Sequence, residues 1–164
     1  MSFWNQANAE PTRKYRFRVM SPDSKIWKDH WWWAKSVEKP SYEVNTTEYR
    51  LTNHKFKFPG ILSWNDITIV VVDRGGVTAE LMKNLGFTYK NPNDGYLKDQ
   101  FAKKNKESLN KFEIQQLNSK GKKIETWELH GAFIKSVDFG SLDYSDDELV
   151  QISIGLSYDY ATLE

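Results

Sequence analysis

A run of six β-branched residues, Ile67 to Val72, constrains the fold of this 164-residue chain more than any other feature. Side chains branched at Cβ favour extended backbone and pack well on a pleated surface. The run is long enough for a buried strand and much too short to span a membrane. It therefore predicts the central strand of an all-β core, in a chain that is most simply one domain over residues 1–164.

The residues before this run predict a hairpin that stands away from the core. His54 to Phe58 alternates basic and aromatic side chains, as a strand with two unlike faces does. Asn45-Thr46-Thr47 and Thr52-Asn53 are turn-forming by composition, and Pro59-Gly60 is expected to break the pairing. Residues 43–60 would thus project as a β-hairpin with little apolar content of its own. Because such hairpins are marginal alone, a partner is expected to pack against it.

The last strand of the chain has the clearest alternation. One face carries apolar residues and the other carries small or polar ones, which predicts a core side and an opposite side like the inner wall of a channel. The first set is Val150, Ile152, Ile154, Leu156 and Tyr158, and the second is Gln151, Ser153, Gly155, Ser157 and Asp159.

Other segments complete a mostly β fold. Lys14 to Ser21 and Gly131 to Val137 are predicted strands, and Ser119-Lys120-Gly121-Lys122 closes a predicted hairpin into the strand Ile124–Leu129. Phe112 and Ile114 alternate and Leu117 falls out of phase, which indicates a bulge. Over residues 77–86, apolar side chains at helical spacing predict one helix that flanks the sheets. The expected fold is a two-sheet antiparallel β-sandwich or barrel with a flanking helix and a projecting hairpin.

Two aromatic groups leave alternatives open. The N-terminal arm, residues 1–12, carries Phe3 and Trp4, which could pack back on the domain or insert into a neighbouring subunit. Trp31 and Trp33 share one face of a strand, and Trp32 takes the other. They could be core residues, subunit contacts or the exposed platform of a carbohydrate-binding module.

Nothing in the sequence predicts catalysis, a cofactor or a metal. The three histidines lie in separate elements, and there is no cysteine, so thiolate chemistry and disulfides are excluded. Asp143 to Glu148 superficially resembles a calcium loop but lacks its central glycine. A net charge of +1 argues against a general nucleic-acid binder. The N-terminus does not have the pattern of a signal peptide, and an intracellular, reducing compartment is expected.

Three strings of this sequence resemble the tail tube proteins of contractile-tailed phages. The first is Trp33 to Val44, and the second is Tyr49 to Gly60 followed by Trp64 and the strand that ends at Asp73. The third runs from Leu142 to Tyr158 and contains an acidic turn and the closing strand. The similarity spans nearly the whole chain, including its length, and the strings follow one another in the order and spacing of that family.

The resemblance implies a self-assembling structural protein of the virion, assembled in the host cytoplasm. Hexameric rings join their sheets into a β-barrel and stack into a tube that conveys phage DNA without sequence-specific binding. Sheath, baseplate and tail-terminator proteins are the implied partners, with no membrane anchor. Residues implied to stack rings are Glu43, Val44, Tyr49, His54, Lys55, Lys57, Pro59 and Gly60. Residues expected to face the lumen are Gln151, Ser153, Ser157 and Asp159, and those expected to contact other subunits are Phe3, Trp4, Trp31 and Trp33.

Three alternatives remain open at this stage. A tube initiator or baseplate component would share the same fold, as would the tube protein of a secretion system. A carbohydrate-binding β-sandwich that uses Trp31 to Trp33 is the alternative from a different functional class.

Overall fold

A computed structural model describes residues 11–20, 34–76 and 109–164 of the chain. These residues form nine β-strands and, within these ranges, no helix. The helix predicted over residues 77–86 lies outside them, as do Phe3, Trp4 and the three consecutive tryptophans. The strands are β1 (Phe17–Met20), β2 (Ala34–Val37), β3 (Tyr42–Leu51), β4 (His54–Trp64), β5 (Ile67–Val72), β6 (Leu109–Leu117), β7 (Lys123–Asp138), β8 (Gln151–Ser157) and β9 (Tyr160–Leu163).

Seven of the strands form one curled antiparallel sheet. Its order is β1-β6-β7-β8-β5-β2, and β9 pairs with β7 as well. The 16-residue β7 belongs to both halves of this sheet: its first part pairs with β6 and β9, and its last part pairs with β8. Between the two parts lies Gly131, whose positive φ of 64° is readily adopted only by glycine. The prediction of two separate strands around this glycine was therefore wrong.

The core lies inside the curl and joins both halves of the sheet. Val19, Phe112 and Leu129 come from one half, and Ile69 and Ile154 from the other, all fully buried in one cluster. β5 alternates buried and less buried residues from Ile67 onward, which confirms that the β-branched run is a core strand. The apolar positions of β8 are likewise buried, as the alternation predicted.

Two boundaries differ from the sequence prediction. The first strand begins only at Phe17, and Tyr15 lies in the preceding turn with 71% of its surface exposed. The strand that contains Pro59-Gly60 continues to Trp64 instead of ending there. Pro59 is tolerated because this two-stranded ribbon has no third strand that would need the missing N–H.

β3 and β4 form a separate two-stranded sheet that joins the main sheet only at its base. There the Asn65 N–H donates to the Ser41 carbonyl over 2.9 Å. The Trp64 ring lies 5.3 Å from Tyr42 within the ribbon and 6.0 Å from Tyr158 of the main sheet, centroid to centroid. These aromatic contacts hold the base of the hairpin against the body.

Candidate assembly surfaces

The hairpin is a long, exposed ribbon with one bulge. Thr52-Asn53 is its turn, because Leu51 pairs directly with His54. Asn45-Thr46-Thr47, predicted as a second turn, lies instead inside β3. Between the pairs Val44–Leu62 and Thr46–Pro59, β4 carries one more residue than β3. A Cβ at Gly60 would lie 2.8 Å from the Asn45 carbonyl oxygen, so only glycine fits this bulge without displacement.

Beyond the bulge the ribbon has two unlike faces. Its aromatic face consists of the opposed pairs Tyr49–Phe56, Thr47–Phe58 and Leu51–His54, and its large side chains are 44–58% exposed. Its charged face consists of the opposed pairs Glu48–Lys57 and Arg50–Lys55. Glu48 lies 3.3 Å from the Lys55 ammonium and 3.9 Å from that of Lys57. The aromatic face thus leaves four large side chains about half exposed in the described part of the chain, which is typical of a binding surface.

A second surface is the polar face of β8, on the side of the sheet away from the core. Gln151, Ser153 and Ser157, which the family resemblance led us to expect in a lumen, are half-buried along it. Thr68 and Ser136 flank Gly155 on the neighbouring strands, and a Cβ at Gly155 would collide with the Ser136 hydroxyl. This face is therefore smooth and rich in hydroxyl groups.

Asp159 does not continue this polar face. β8 ends at Ser157, and Asp159 lies in the break before β9, where its backbone N–H donates to the His130 carbonyl over 2.9 Å. Its side chain lies against Gly131, where an added Cβ would meet it. The alternation could not reveal this break, because the residue pattern continues through it unchanged.

An ion pair supports the end of the polar face next to the hairpin base. The Lys135 ammonium lies 2.5 Å from Asp66. That hydrogen bond, together with one from Ser157, holds the pKa of the Asp66 carboxyl below its usual value. Ser157 is thus a partner of Asp66 as well as a residue of the polar face.

The third surface is the acidic loop, residues 139–150, which joins β7 to β8. Leu142, Tyr144 and Leu149 are exposed to 87%, 111% and 70%, and they lie among four acidic residues. The loop borders a cleft of about 560 Å³, lined by these three side chains and by Asp143 and others. The Ser145 backbone N–H and hydroxyl both donate to Asp143 and hold the pKa of its carboxyl below the usual value.

The residues predicted to stack rings all lie in the hairpin, but they occupy different parts of it. Tyr49 and His54 belong to the aromatic face, and Lys55 and Lys57 to the charged face. Glu43 and Val44 lie toward the base, next to the bulge that contains Gly60. The sequence prediction missed Ile61 and Leu62, which are 80% and 44% exposed. It also missed the apolar residues of the acidic loop, for which Leu142 and Leu149 flanking the acidic run were the available signal.

Within the described ranges, no group of three metal-ligating side chains comes together. His130 stacks on the Tyr160 ring at 4.5 Å and contacts the Thr162 hydroxyl at 3.0 Å, a structural arrangement on the sheet. No helix in these ranges is long and apolar enough to cross a membrane.

Comparison with known proteins finds similar solved structures. No protein-family model matches the chain, and no curated protein matches it. A chain of the sheath–tube complex of the PVC extracellular contractile injection system, in the extended state, superposes with a TM-score of 0.64 at 22% identity, covering 100% of this chain and 98% of the other.

Two further structures extend the similarity. The tube-terminating cap of the anti-feeding prophage (AFP) superposes with a TM-score of 0.63 at 21% identity, covering 95% of this chain and 92% of that one. A chain of the AFP baseplate superposes with a TM-score of 0.61 at 12% identity, covering 95% of this chain and 97% of the other. At these identities the comparisons establish the fold, and the resemblance read from the sequence is confirmed at that level. The chain has the tube-type fold of contractile injection systems.

Proposed function

We propose that this chain is a non-enzymatic structural subunit that forms hexameric rings, and that the rings stack into the inner tube of a contractile tail. The observation that carries the proposal is the hairpin: a 23-residue ribbon, Tyr42 to Trp64, that exposes apolar side chains on a body with the tube-type fold. A monomer gains nothing from ordering such a ribbon in water, whereas a neighbouring copy could bury it.

In this proposal the hairpin makes the contact between rings, and the polar face of β8 lines the lumen. Small hydroxyl-bearing side chains along that face would offer few anchoring points to a polymer that must slide past. Phage DNA is the proposed cargo, and a phage virion is the proposed location. Sheath and baseplate proteins are the proposed partners, since the similar structures include a sheath–tube complex and a baseplate.

The test is assembly of the purified full-length chain, followed by negative-stain electron microscopy. Hollow tubes of uniform diameter with six-fold rings are the expected product. Deleting Val44–Phe58 should leave a folded protein that no longer stacks, because every residue from Tyr42 to Ser63 is exposed and the core lies elsewhere. Its thermal unfolding should match that of the parent chain. Long tubes formed by the deletion variant would refute the role of the hairpin.

A tube terminator is the second candidate, because two terminator structures share this fold. Besides the AFP cap, the PVC sheath/tube terminator superposes with a TM-score of 0.62 at 21% identity, covering 96% of this chain and 99% of the other. A terminator would give single rings that do not extend, whereas a repeated tube subunit gives tubes. The same micrographs therefore distinguish the two roles.

A persistent monomer would contradict both. A glycan-array measurement on such a monomer would then test the carbohydrate-binding alternative based on Trp31 and Trp33.

A further inference from the structure

The hairpin and the acidic loop lie at opposite ends of the same pair of strands. At one end, Ile67 pairs with Leu156, and the hairpin base follows through Trp64 and Tyr158. At the other end, Val72 pairs with Gln151, the residue at which the acidic loop enters β8. A seven-residue strand separates the two surfaces by roughly 20 Å. The two surfaces therefore face opposite directions along β5 and β8.

The acidic loop has both apolar and negative character. It exposes Leu142, Tyr144 and Leu149 around a cleft, and it has no lysine or arginine between positions 139 and 150. Asp143 and Asp146 accept backbone hydrogen bonds inside the loop, at 2.9 Å from the Ser145 N–H and 3.0 Å from the Glu148 N–H. The loop thus has an ordered turn geometry, while its large apolar side chains remain exposed.

The outer part of the hairpin has the complementary character. Its charged face holds Arg50, Lys55 and Lys57 against a single acid, Glu48. Its aromatic face presents Tyr49 and other exposed rings on the opposite side of the same two-stranded ribbon. A ribbon with one basic and one aromatic face matches a cleft that combines exposed apolar side chains with carboxylates.

We propose that the hairpin of one copy docks into the cleft of the acidic loop, residues 139–150, of a second copy. This inference rests on the proposed function and names the surface that receives the hairpin. The apolar side chains of the loop cover part of the aromatic face, and Asp147 and Glu148 approach the lysines of the charged face. Because donor and acceptor surfaces differ, the contact is heterologous and repeats head to tail without closing on a pair. Such a contact yields a stack.

A charge exchange tests the pairing. Lys55→Glu with Lys57→Glu reverses the net charge of the outer hairpin. Asp147→Lys with Glu148→Lys reverses the two loop positions proposed to meet it, and it keeps the two backbone-capping aspartates. Each reversed variant should lose most of its tubes at the protein concentration where the parent polymerises. The chain that carries all four changes should recover tubes, because the complementarity is restored with opposite sign. Lys120→Glu with Lys122→Glu, in the exposed β6–β7 turn, is the control for net charge and should polymerise normally.

Cross-linking tests the same pairing independently of tube length. The chain has no cysteine, so Thr52→Cys in the hairpin turn and Tyr144→Cys in the loop would supply the only thiols. A short bis-maleimide should join the double variant into a ladder of multimers, and each single variant into dimers at most. Thr52→Cys with Lys120→Cys should give no ladder.

The outcomes separate the two proposals. Failure of the parent chain to form rings or tubes would refute the proposed function. Tubes that give no ladder, or a fourfold charge variant that stays unassembled, would overturn the pairing and leave the proposed function standing. A cross-linked product at monomer mass would show that the loop contacts the hairpin of its own chain. That result would also overturn the pairing between copies.

Discussion

Gly131 is the residue at which β7 passes from one half of the sheet to the other. Its φ of 64° lies in the left-handed region, and an added Cβ would meet the Asp159 side chain. Gly131→Ala should lower the free energy of unfolding by about 1–2 kcal/mol for the backbone conformation alone, with a further loss from the contact. Thermal denaturation followed by circular dichroism measures this change.

Two controls separate the two contributions at Gly131. Gly75→Ala should be destabilised only by the backbone conformation, because φ is 85° there and nothing lies within 4 Å of the added Cβ. Introduced into an Asp159→Ala chain, Gly131→Ala should destabilise by the backbone contribution alone, measured against the Asp159→Ala single variant. Equal destabilisation by Gly131→Ala and Gly75→Ala would show that the Asp159 side chain moves aside without loss.

Glu125 is the residue whose ionisation links the segment before the hairpin to β7. Lys39 Nζ lies 2.8 Å from Glu125, and the Trp127 indole N–H donates to the same carboxylate. The Lys39 hydrogen bond, followed by that of Trp127, holds the pKa of Glu125 below its ordinary value despite partial burial. The stabilisation is therefore full above the unfolded-state pKa of about 4.3 and is lost as the pH falls through the lower folded-state value.

Glu125→Gln should remove the ion pair and keep an acceptor for Trp127. We expect a loss of about 0.5–1 kcal/mol in the free energy of unfolding at pH 7. This difference from the parent chain should shrink as the pH falls below about 4, because the parent carboxylate is then protonated as well. Urea titrations at several pH values measure it, and a difference that does not vary with pH would contradict the ion-pair explanation.

At the scale of elements, the bulge in the hairpin sets which way the outer ribbon presents its two faces. Because β4 has one extra residue at the bulge, Leu62 and Phe56 lie on opposite faces of the ribbon although they are six residues apart, as their β3 partners Val44 and Tyr49 do. Gly60→Ala would place a Cβ 2.8 Å from the Asn45 carbonyl oxygen and force the ribbon to shift. The core does not involve these residues, so the melting temperature of the main sheet should change little.

The expected consequence of Gly60→Ala is a loss of assembly without a loss of folding. Sedimentation of polymerised protein measures the first, and near-ultraviolet circular dichroism the second. Ser63→Ala on the same strand is the matched control, because it changes an exposed side chain and leaves the bulge intact. If Gly60→Ala assembled as the parent does, the bulge would have no role in presenting the faces.

The sequence predicts some elements well for a physical reason. β5 and β8 alternate with a period of two because one side of each strand faces the core, and the core-facing positions carry apolar residues. In the hairpin both faces are exposed, so composition does not mark pairing. Composition therefore predicts a break at Pro59-Gly60 and a turn at Asn45-Thr46-Thr47, where the structure has continuous strands.

The candidate surfaces were predictable to different degrees. The alternating charges and rings of His54–Phe58 pointed to a two-faced ribbon, and the structure has one. The acidic loop was recognised only by its carboxylates, since exposed Leu142 and Leu149 look like core residues in a sequence. Which residues share a surface depends on the path of the sheet, and no local pattern records that path.

At the scale of the whole molecule, a net charge of +1 conceals a separation of charge. The outer hairpin carries three basic residues against Glu48, and the loop at the opposite end of β5 and β8 carries four carboxylates and no basic residue. Copies that approach head to tail therefore attract one another, and copies that approach with like ends repel. Such a distribution favours ordered growth even though the average charge provides little repulsion between chains.

Added salt should weaken the head-to-tail polymerisation of the chain. Screening lengths fall from about 10 Å at 0.1 M salt to about 3 Å at 1 M. Exposed ion pairs contribute about 0.2–1 kcal/mol each. The loss of two or three such pairs between the hairpin and the acidic loop should raise the minimum protein concentration for polymerisation about fivefold. Pelleting assays at low and high NaCl measure this concentration.

The double variant Lys55→Gln with Lys57→Gln should polymerise less than the parent chain at low salt. Its polymerisation should also depend less on the salt concentration, because the charges that salt would screen have been removed. A parent chain whose polymerisation is equal or stronger at high salt would assign the stacking energy to the aromatic face alone.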